Sequence, residues 1–467
     1  MSGDDEIIVS AESKRFTRMT TEPVEKLVFS LAVPSIAINL ITSLYNMADT
    51  YFVSSLGTSQ VAAVGIGFPL MAIIQAFGFY FGQGSGNYLS RALGAQDTEN
   101  ASRMAATGFI SCFSLMTAIA LTGIAGLEPL VDILGATQTI RPHAKDYLLY
   151  ILIASPWMAS ATVLNVQLRF QGSASIALVG MLSGAVLNIF LDPLFIFVLN
   201  MGVSGAAFAT MLSQITSFFI LLCYGTTRKG NIRIKPKHFS PSLSRYVEMF
   251  RGGIPALLRQ GLNSIAVIFI NHFARPYGDA AIAAISIVSR LNMFALSMML
   301  GFGQGFQPVC GFNYGAKLFS RVKKSFWFCV RVSFIIILTI SLAMAIFAPK
   351  IIALFRKEDL EVVAIGARGL RFSCICLPFT TVTIMSTMMT QTMGKAMEAS
   401  IVTIAQQGLF LIPFLFILGP LLGLAGIQLA MPAAEISTLL IAIPILIKIF
   451  RILSVPDTKD KQPPVSE

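Results

Sequence analysis

Gly82-Gln83-Gly84 returns later in the chain as Gly303-Gln304-Gly305, and the residues around the first copy return with it. Residues 33–95 slide onto 254–316 by a shift of 221 without a gap, carrying Pro34 to Pro255, Gly57 to Gly278, Ala62-Ala63 to Ala283-Ala284 and Gly94-Ala95 to Gly315-Ala316. A second stretch recurs at a shift of 221 to 222, pairing Pro156 with Pro378, Gly172 with Gly394, Gly202 with Gly423 and Gly205 with Gly426. The shared residues are mostly Gly, Pro and Ala, which set turns and allow helices to approach closely. What the halves have in common is therefore scaffold, and chemistry is to be sought where they differ. Related halves inside an apolar chain point to a transporter built from structural repeats.

The chain is 55% apolar and only 12% charged. Apolar stretches long enough to cross a bilayer recur throughout, at about 28–51, 61–84, 104–126, 147–168, 175–199, 203–225, 253–273, 280–306, 326–348, 370–392, 399–420 and 423–447. Membrane strands alternate over about 10 residues, whereas these runs are continuous. The expectation is an all-α integral membrane protein of twelve helices, arranged as two six-helix bundles related by a parallel pseudo-two-fold repeat. Its divisions are an N-terminal lobe at 1–226, a linker at 227–246, a C-terminal lobe at 247–452 and a polar tail at 453–467.

Basic residues cluster before the first span (Lys14, Arg15, Arg18, Lys26), in the central linker (Arg228, Lys229, Arg233, Lys235, Lys237, Arg245), after the eighth span (Lys317, Arg321, Lys323, Lys324) and at the end (Lys448, Arg451, Lys459, Lys461). Alternation of the spans puts all four clusters on one side, which the positive-inside rule assigns to the cytoplasm. Lys350, Arg356 and Lys357 after the ninth span dissent. Both termini are expected in the cytoplasm. The net charge of +11 is then a mark of topology, with the lipid bilayer as partner and no nucleic acid. Residues 1–24 are polar and contain no cleavable apolar core.

The six cysteines lie in apolar segments with no Cys-x-x-Cys pair, and His143, His238 and His272 are scattered. Gly82 to Gly86 ends a span rather than following a strand, and no Walker lysine succeeds it. The chain reads as no enzyme and needs no cofactor. An ion gradient is the expected energy source.

Acids inside a membrane are costly and are functional candidates by default. Asp49 ends the first span, where the repeat places Ile270 in the other half; Asp192 lies in the fifth, opposite Phe414. Asn46 is three residues before Asp49 and Asn188 four before Asp192, so each amide shares a helix face with its acid. Two carboxylates with amide neighbours suit a proton site or a sodium site equally. Blander roles are a helix-end acid at the interface for Asp49 and a cap beside Pro193 for Asp192. In the second half, Glu435 and Arg290 could form an ion pair, or Glu435 could face a cationic substrate. Met293 and Met389 belong to a methionine-rich set suited to an adaptable apolar cavity or to ordinary packing.

Leu44-Tyr45-Asn46-Met47-Ala48-Asp49, Leu56-Gly57, Ala62-Ala63-Val64-Gly65, Gly82-Gln83-Gly84, Asn165 through Arg169 to Gly172, Asn188-Ile189-Phe190-Leu191-Asp192-Pro193 and Gly202-Val203-Ser204-Gly205-Ala206-Ala207 stand in one order. Together they resemble the multidrug and toxic compound extrusion (MATE) family, its DinF-like branch most closely, over about residues 25–450. The resemblance implies two six-helix bundles around a V-shaped cavity, with export driven by inward flow of H+ or Na+. It also implies a cation site lined by the positions of Asp49, Asn188, Asp192 and Thr210. Acids in the seventh and tenth spans, which the sodium-coupled branch uses, are missing here after Glu248.

The function expected is a secondary antiporter of the bacterial plasma (inner) membrane, monomeric, exporting amphipathic cationic drugs and dyes. Its coupling ion, H+ or Na+, would sit at Asp49, Asn188, Asp192 and Thr210. Asn46, Glu435, Arg290, Met293 and Met389 would contribute to the substrate cavity. The rival is a flippase for lipid-linked oligosaccharides, which would favour a cationic cavity holding pyrophosphate.

Overall fold

The computed structural model describes residues 3–54, 56–227, 232, 234–355 and 359–457, without the side chains of 3–11, 44–48, 50, 51, 58, 226 and 227. Arg228, Lys229, Arg233, Arg356, Lys357, most of the polar tail and the side chain of Asn46 thus lie outside the described residues. Among the described residues there are helices and turns but no strand. In chain order the α-helices are α1 (Gly3–Thr21), α2 (Val24–Ser54), α3 (Thr58–Gly94), α4 (Thr98–Ala125), α5 (Leu127–Ile133), α6 (Arg141–Phe170), α7 (Ala174–Pro193) and α8 (Gly202–Thr227). They continue as α9 (Leu243–Ala274), α10 (Gly278–Gly315), α11 (Phe319–Ile346), α12 (Ala348–Ala353), α13 (Leu360–Thr392), α14 (Ala396–Ile404), α15 (Leu411–Leu422) and α16 (Leu424–Ile452). Among the described residues eleven apolar stretches are long enough to span a bilayer, and the longest, Leu243–Gly315, contains both α9 and α10. The twelve expected spans are all present, and the protein is a multi-pass membrane protein. Several helices outrun their apolar runs, as when α3 and α10 continue to Gly94 and Gly315.

The chain divides into two compact units: Met1–Thr21 with Ala37–Leu257, and Glu22–Ile36 with Leu258–Glu467. The sequence predicts contiguous lobes at 1–226 and 247–452. Instead the first part of α2 belongs to the second unit, and the first part of α9 to the first. Both boundaries fall two residues after an equivalent proline, Pro34 or Pro255. Proline removes one helical hydrogen bond and crowds the preceding turn, so a long helix can change direction there.

In the first unit α6 is the centre, packing against α3, α4, α7 and α8. In the second unit its repeat partner α13 does the same with α10, α11, α14 and α16. In lipid there is little hydrophobic gain from pairing helices, so close contact through small residues carries the packing. The repeated Gly-Gln-Gly shows this. A β-carbon on Gly305 would lie 2.5 Å from the Cα of Ala32, and one on Gly252 would lie 3.0 Å from the Cα of Gly84. Gly84 and Gly305 are equivalent in the repeat. Each unit thus seats an incoming half-helix on the same glycine.

Candidate functional site

α7 is written for a polar site in an apolar frame. Its buried positions include Ala177, Gly180, Gly184, Asn188 and Asp192, a face kept small until it turns polar at its end. Pro193 has no N–H to return to the carbonyl of Ile189, and the chain continues as a π-helical turn at Leu194–Val198. Asp192 lies at the end of α7, which packs along α8, where Thr210, Ser213 and Ser217 are all buried.

Asn188, Asp192 and Thr210 are each 3% exposed or less. The Asn188 side-chain amide donates to Asp192 Oδ1 at 3.2 Å and reaches Thr210 Oγ1 at 3.5 Å. Asp192 Oδ2 and Asn188 Oδ1 are buried with no hydrogen-bond partner among the described residues. Two unmatched buried acceptor oxygens on a pair of hydrogen-bonded side chains are a costly arrangement. Asp49 on α2 is close enough to act electrostatically on Asp192. The structure therefore brings Asn188, Asp192 and Thr210 together by hydrogen bonds, with Asp49 within electrostatic range of Asp192. A hard cation or a proton would satisfy this oxygen set.

The Ser213 hydroxyl, 3% exposed and also without a partner among the described residues, was missed in the sequence. It follows Thr210 by three residues on one face of α8, a spacing that could have found it. Ser217, one turn further, is occupied in donating to the carbonyl of Gly180 at 2.9 Å.

The other predicted residues are dispersed. Met389 is fully buried in the core of the second unit, while Met293 is 61% exposed and Arg290 is exposed. Arg290 forms no ion pair with Glu435 among the described residues, which corrects one of the two roles considered for it. Glu435 instead accepts from the Gln406 side-chain amide at 2.6 Å. Glu248, the last acid of α9, pairs with Arg91 at 3.1 Å and with Arg251 at 3.2 Å inside the first unit. Asn165 ties α6 to α7 by donating to the carbonyl of Ala177 at 3.2 Å.

Twelve apolar helices in two repeat-built units, with an acid buried among amides and hydroxyls, define a membrane transporter and not an enzyme. The chain belongs to the MatE family, whose model matches it twice, over residues 34–194 and 255–417. The two matches begin at the equivalent prolines. Among curated relatives it is similar to the multidrug export protein MepA of Staphylococcus haemolyticus, with 29% identity over 411 residues, covering 88% of this chain and 90% of that protein. Among solved structures it is similar to a MATE protein in complex with MaL6, with 27% identity and a TM-score of 0.88, covering 94% of this chain and 98% of the other. A multidrug resistance MATE transporter of the MOP superfamily in its outward-facing conformation matches with 26% identity and a TM-score of 0.87, covering 94% and 99%.

Proposed function

We propose that this transporter is a secondary antiporter that exports amphipathic, cationic organic compounds, drugs and dyes among them, across the bacterial plasma membrane. Inward flow of H+ or Na+ drives it, and the ion is taken by Asp49, Asn188, Asp192 and Thr210. It works as a monomer with both termini in the cytoplasm. The observation that carries the reading is the fully buried carboxylate of Asp192, whose Oδ2 has no partner among the described residues beside an equally unmatched Asn188 Oδ1.

An ionised Asp192 in that position is unstable beside Asp49, because a buried charge needs a counter-charge and a second carboxylate only repels it. A proton on the pair, or a sodium ion among the oxygens, removes the repulsion. Loading therefore draws α2 and α7 together, and unloading lets them part. Pro193 and the π-helical turn after it give α7 a point at which it can yield without breaking a full ladder of hydrogen bonds. Ion and substrate then alternate because each favours a different arrangement of the same helices. Met293, exposed on α10, is an apolar contact open to such a substrate, whereas the exposed Arg290 would repel a cation and takes no part in holding it.

The test is dye movement in proteoliposomes under an imposed pH gradient and, separately, an imposed sodium gradient. Transport under one gradient that disappears in Asp192→Asn and Asp49→Asn supports the reading. Dye movement indifferent to both gradients, or unchanged in both variants, would refute it.

A further inference from the structure

The second unit holds a buried carboxylate of its own. Glu435 on α16 is only 8% exposed, and none of the ion pairs among the described residues includes it. Gln406 holds its Oε1, and Gln406 sits in a π-helical turn, Ala405–Phe410, between α14 and α15. Such turns re-aim a side chain by one residue's rotation and recur at functional positions. Glu435 Oε2 has no partner among the described residues, and neither has Oδ1 of Asn292 on α10, which is 5% exposed. Both residues line one small cavity together with Ser373, Cys376 and Thr380 of α13.

The place of this cavity in the repeat is informative. Asn188 and Thr210 of the first unit correspond to Phe410 and Met431 of the second. Gln406 lies four residues before Phe410, and Glu435 four after Met431. Helices α7 and α8 run in opposite directions along the chain, as do their counterparts α14–α15 and α16. A step of four forward on α16 is about one turn, and a step of four back through the wider π-helical turn is slightly less than one, in the same spatial direction. The same helix pair that carries the Asp192 cluster in one unit thus carries an amide and a carboxylate in the other, displaced by one turn. The acid stands on the second helix of the pair instead of the first.

Size and charge decide the occupant. The cavity measures ≈ 20 Å³, room for about one water-sized guest and too little to enclose an organic cation. Its walls carry no basic side chain, and Cys376 is the one titratable group besides Glu435. α10 contributes an amide and α13 hydroxyls and a thiol, while Gln406 of the π-helical turn stands behind the wall and holds Glu435 through its Oε1. Neutralisation must come from a small ion.

We propose that Glu435, Gln406, Thr380 and Asn292 form a second site for one small monovalent cation, H+ or Na+, in the second unit. The site goes beyond the Asp49–Asp192 reading and stands or falls separately from it. Glu435 thereby serves the ion rather than the substrate.

The experiment removes the first site and asks what remains. Full-length Asp49→Asn/Asp192→Asn protein in lipid nanodiscs is compared with the same protein also carrying Glu435→Gln. Radiolabelled sodium binding and acid-minus-base infrared difference spectra are measured on both; exposed carboxylates contribute equally and cancel between the two. Sodium binding near one per chain that Glu435→Gln abolishes supports a sodium site. A protonated-carboxyl band that Glu435→Gln abolishes, without sodium binding, supports a proton site. No sodium binding and no Glu435-dependent band, or signals that survive Glu435→Gln, overturn the proposal. Should Glu435→Gln fail to fold, Asn292→Leu keeps the carboxylate and removes an oxygen. It should weaken sodium binding about tenfold, or shift the pH at which the band appears, by leaving a buried oxygen fewer for the ion. No change in either would again overturn it.

Discussion

Asn188 donates to Asp192 across a single turn of α7, at 3.2 Å, and leaves the second oxygen of the carboxylate unmatched. The amide thus orients the acid without neutralising it. Replacing Asn188 by Leu keeps the volume and removes the donor. The expected outcome is folded protein whose gradient-driven dye export falls by about tenfold or more, since a lost hydrogen bond to a buried charged group is worth about 1.5–3 kcal/mol. Asn188→Ser should retain part of the activity. Proteoliposome transport at matched protein density checks both.

Thr210 and Ser213 distinguish the two ions. A proton needs one basic oxygen, whereas a sodium ion gathers several, so hydroxyls matter far more to the second. If sodium is the coupling ion, Thr210→Val and Ser213→Ala should each weaken sodium binding several-fold, and the pair more than either. If the proton is, both variants should transport at nearly the wild-type rate, because valine and alanine leave Asp192 in place. Sodium binding and the pH dependence of transport, measured together on the two variants, separate the cases.

Gly305 and Gly261 test the packing account with one chemical change. A β-carbon on Gly305 would strike the backbone of Ala32, which has no flexible end to move aside, whereas one on Gly261 would meet nothing within 4 Å. Gly305→Ala should therefore cost about 1–3 kcal/mol through overpacking, read as a lower midpoint of thermal unfolding. Gly261→Ala should leave the midpoint unchanged or raise it slightly, since alanine is the better helix former. Equal effects from the two would show that the glycine is not there for contact.

The repeat and the spans were legible because a helix in lipid must be apolar along its whole length, and because Gly and Pro mark close contacts directly. Asp49 and Asp192 stood out for the same reason, as acids where the scaffold has Ile270 and Phe414. Asn188 followed from helical spacing alone. The exchange of half-helices at Pro34 and Pro255 was not legible, since proline shows that a helix can bend but not which neighbour its first half joins. Glu435 stands out in the sequence, but Gln406 does not, and Arg290 is the more obvious partner on charge alone. The π-helical turn at 405–410 breaks the 3.6-residue rhythm that would otherwise put Gln406 on a recognisable face.

The remaining acid on α9 makes a contrasting case. Glu248 and Arg91 are 29% and 16% exposed and meet at 3.1 Å, with Arg91 also lying 5.8 Å over the ring of Tyr88. Together they fasten the first part of α9 to α3 within the first unit, and both groups already have their counter-charges. Such a pair has no need of a transported ion. Glu248→Gln should keep ion-driven dye export close to wild type while lowering the unfolding midpoint, with a cost of about 1 kcal/mol given the partial exposure. Arg91→Ala should cost more, because it also removes packing over Tyr88. In the double variant the losses should fall short of additive, as they must when both substitutions remove one contact. Fully additive losses would mean that the two side chains are stabilised independently, and a loss of ion dependence in Glu248→Gln would return this acid to the coupling machinery.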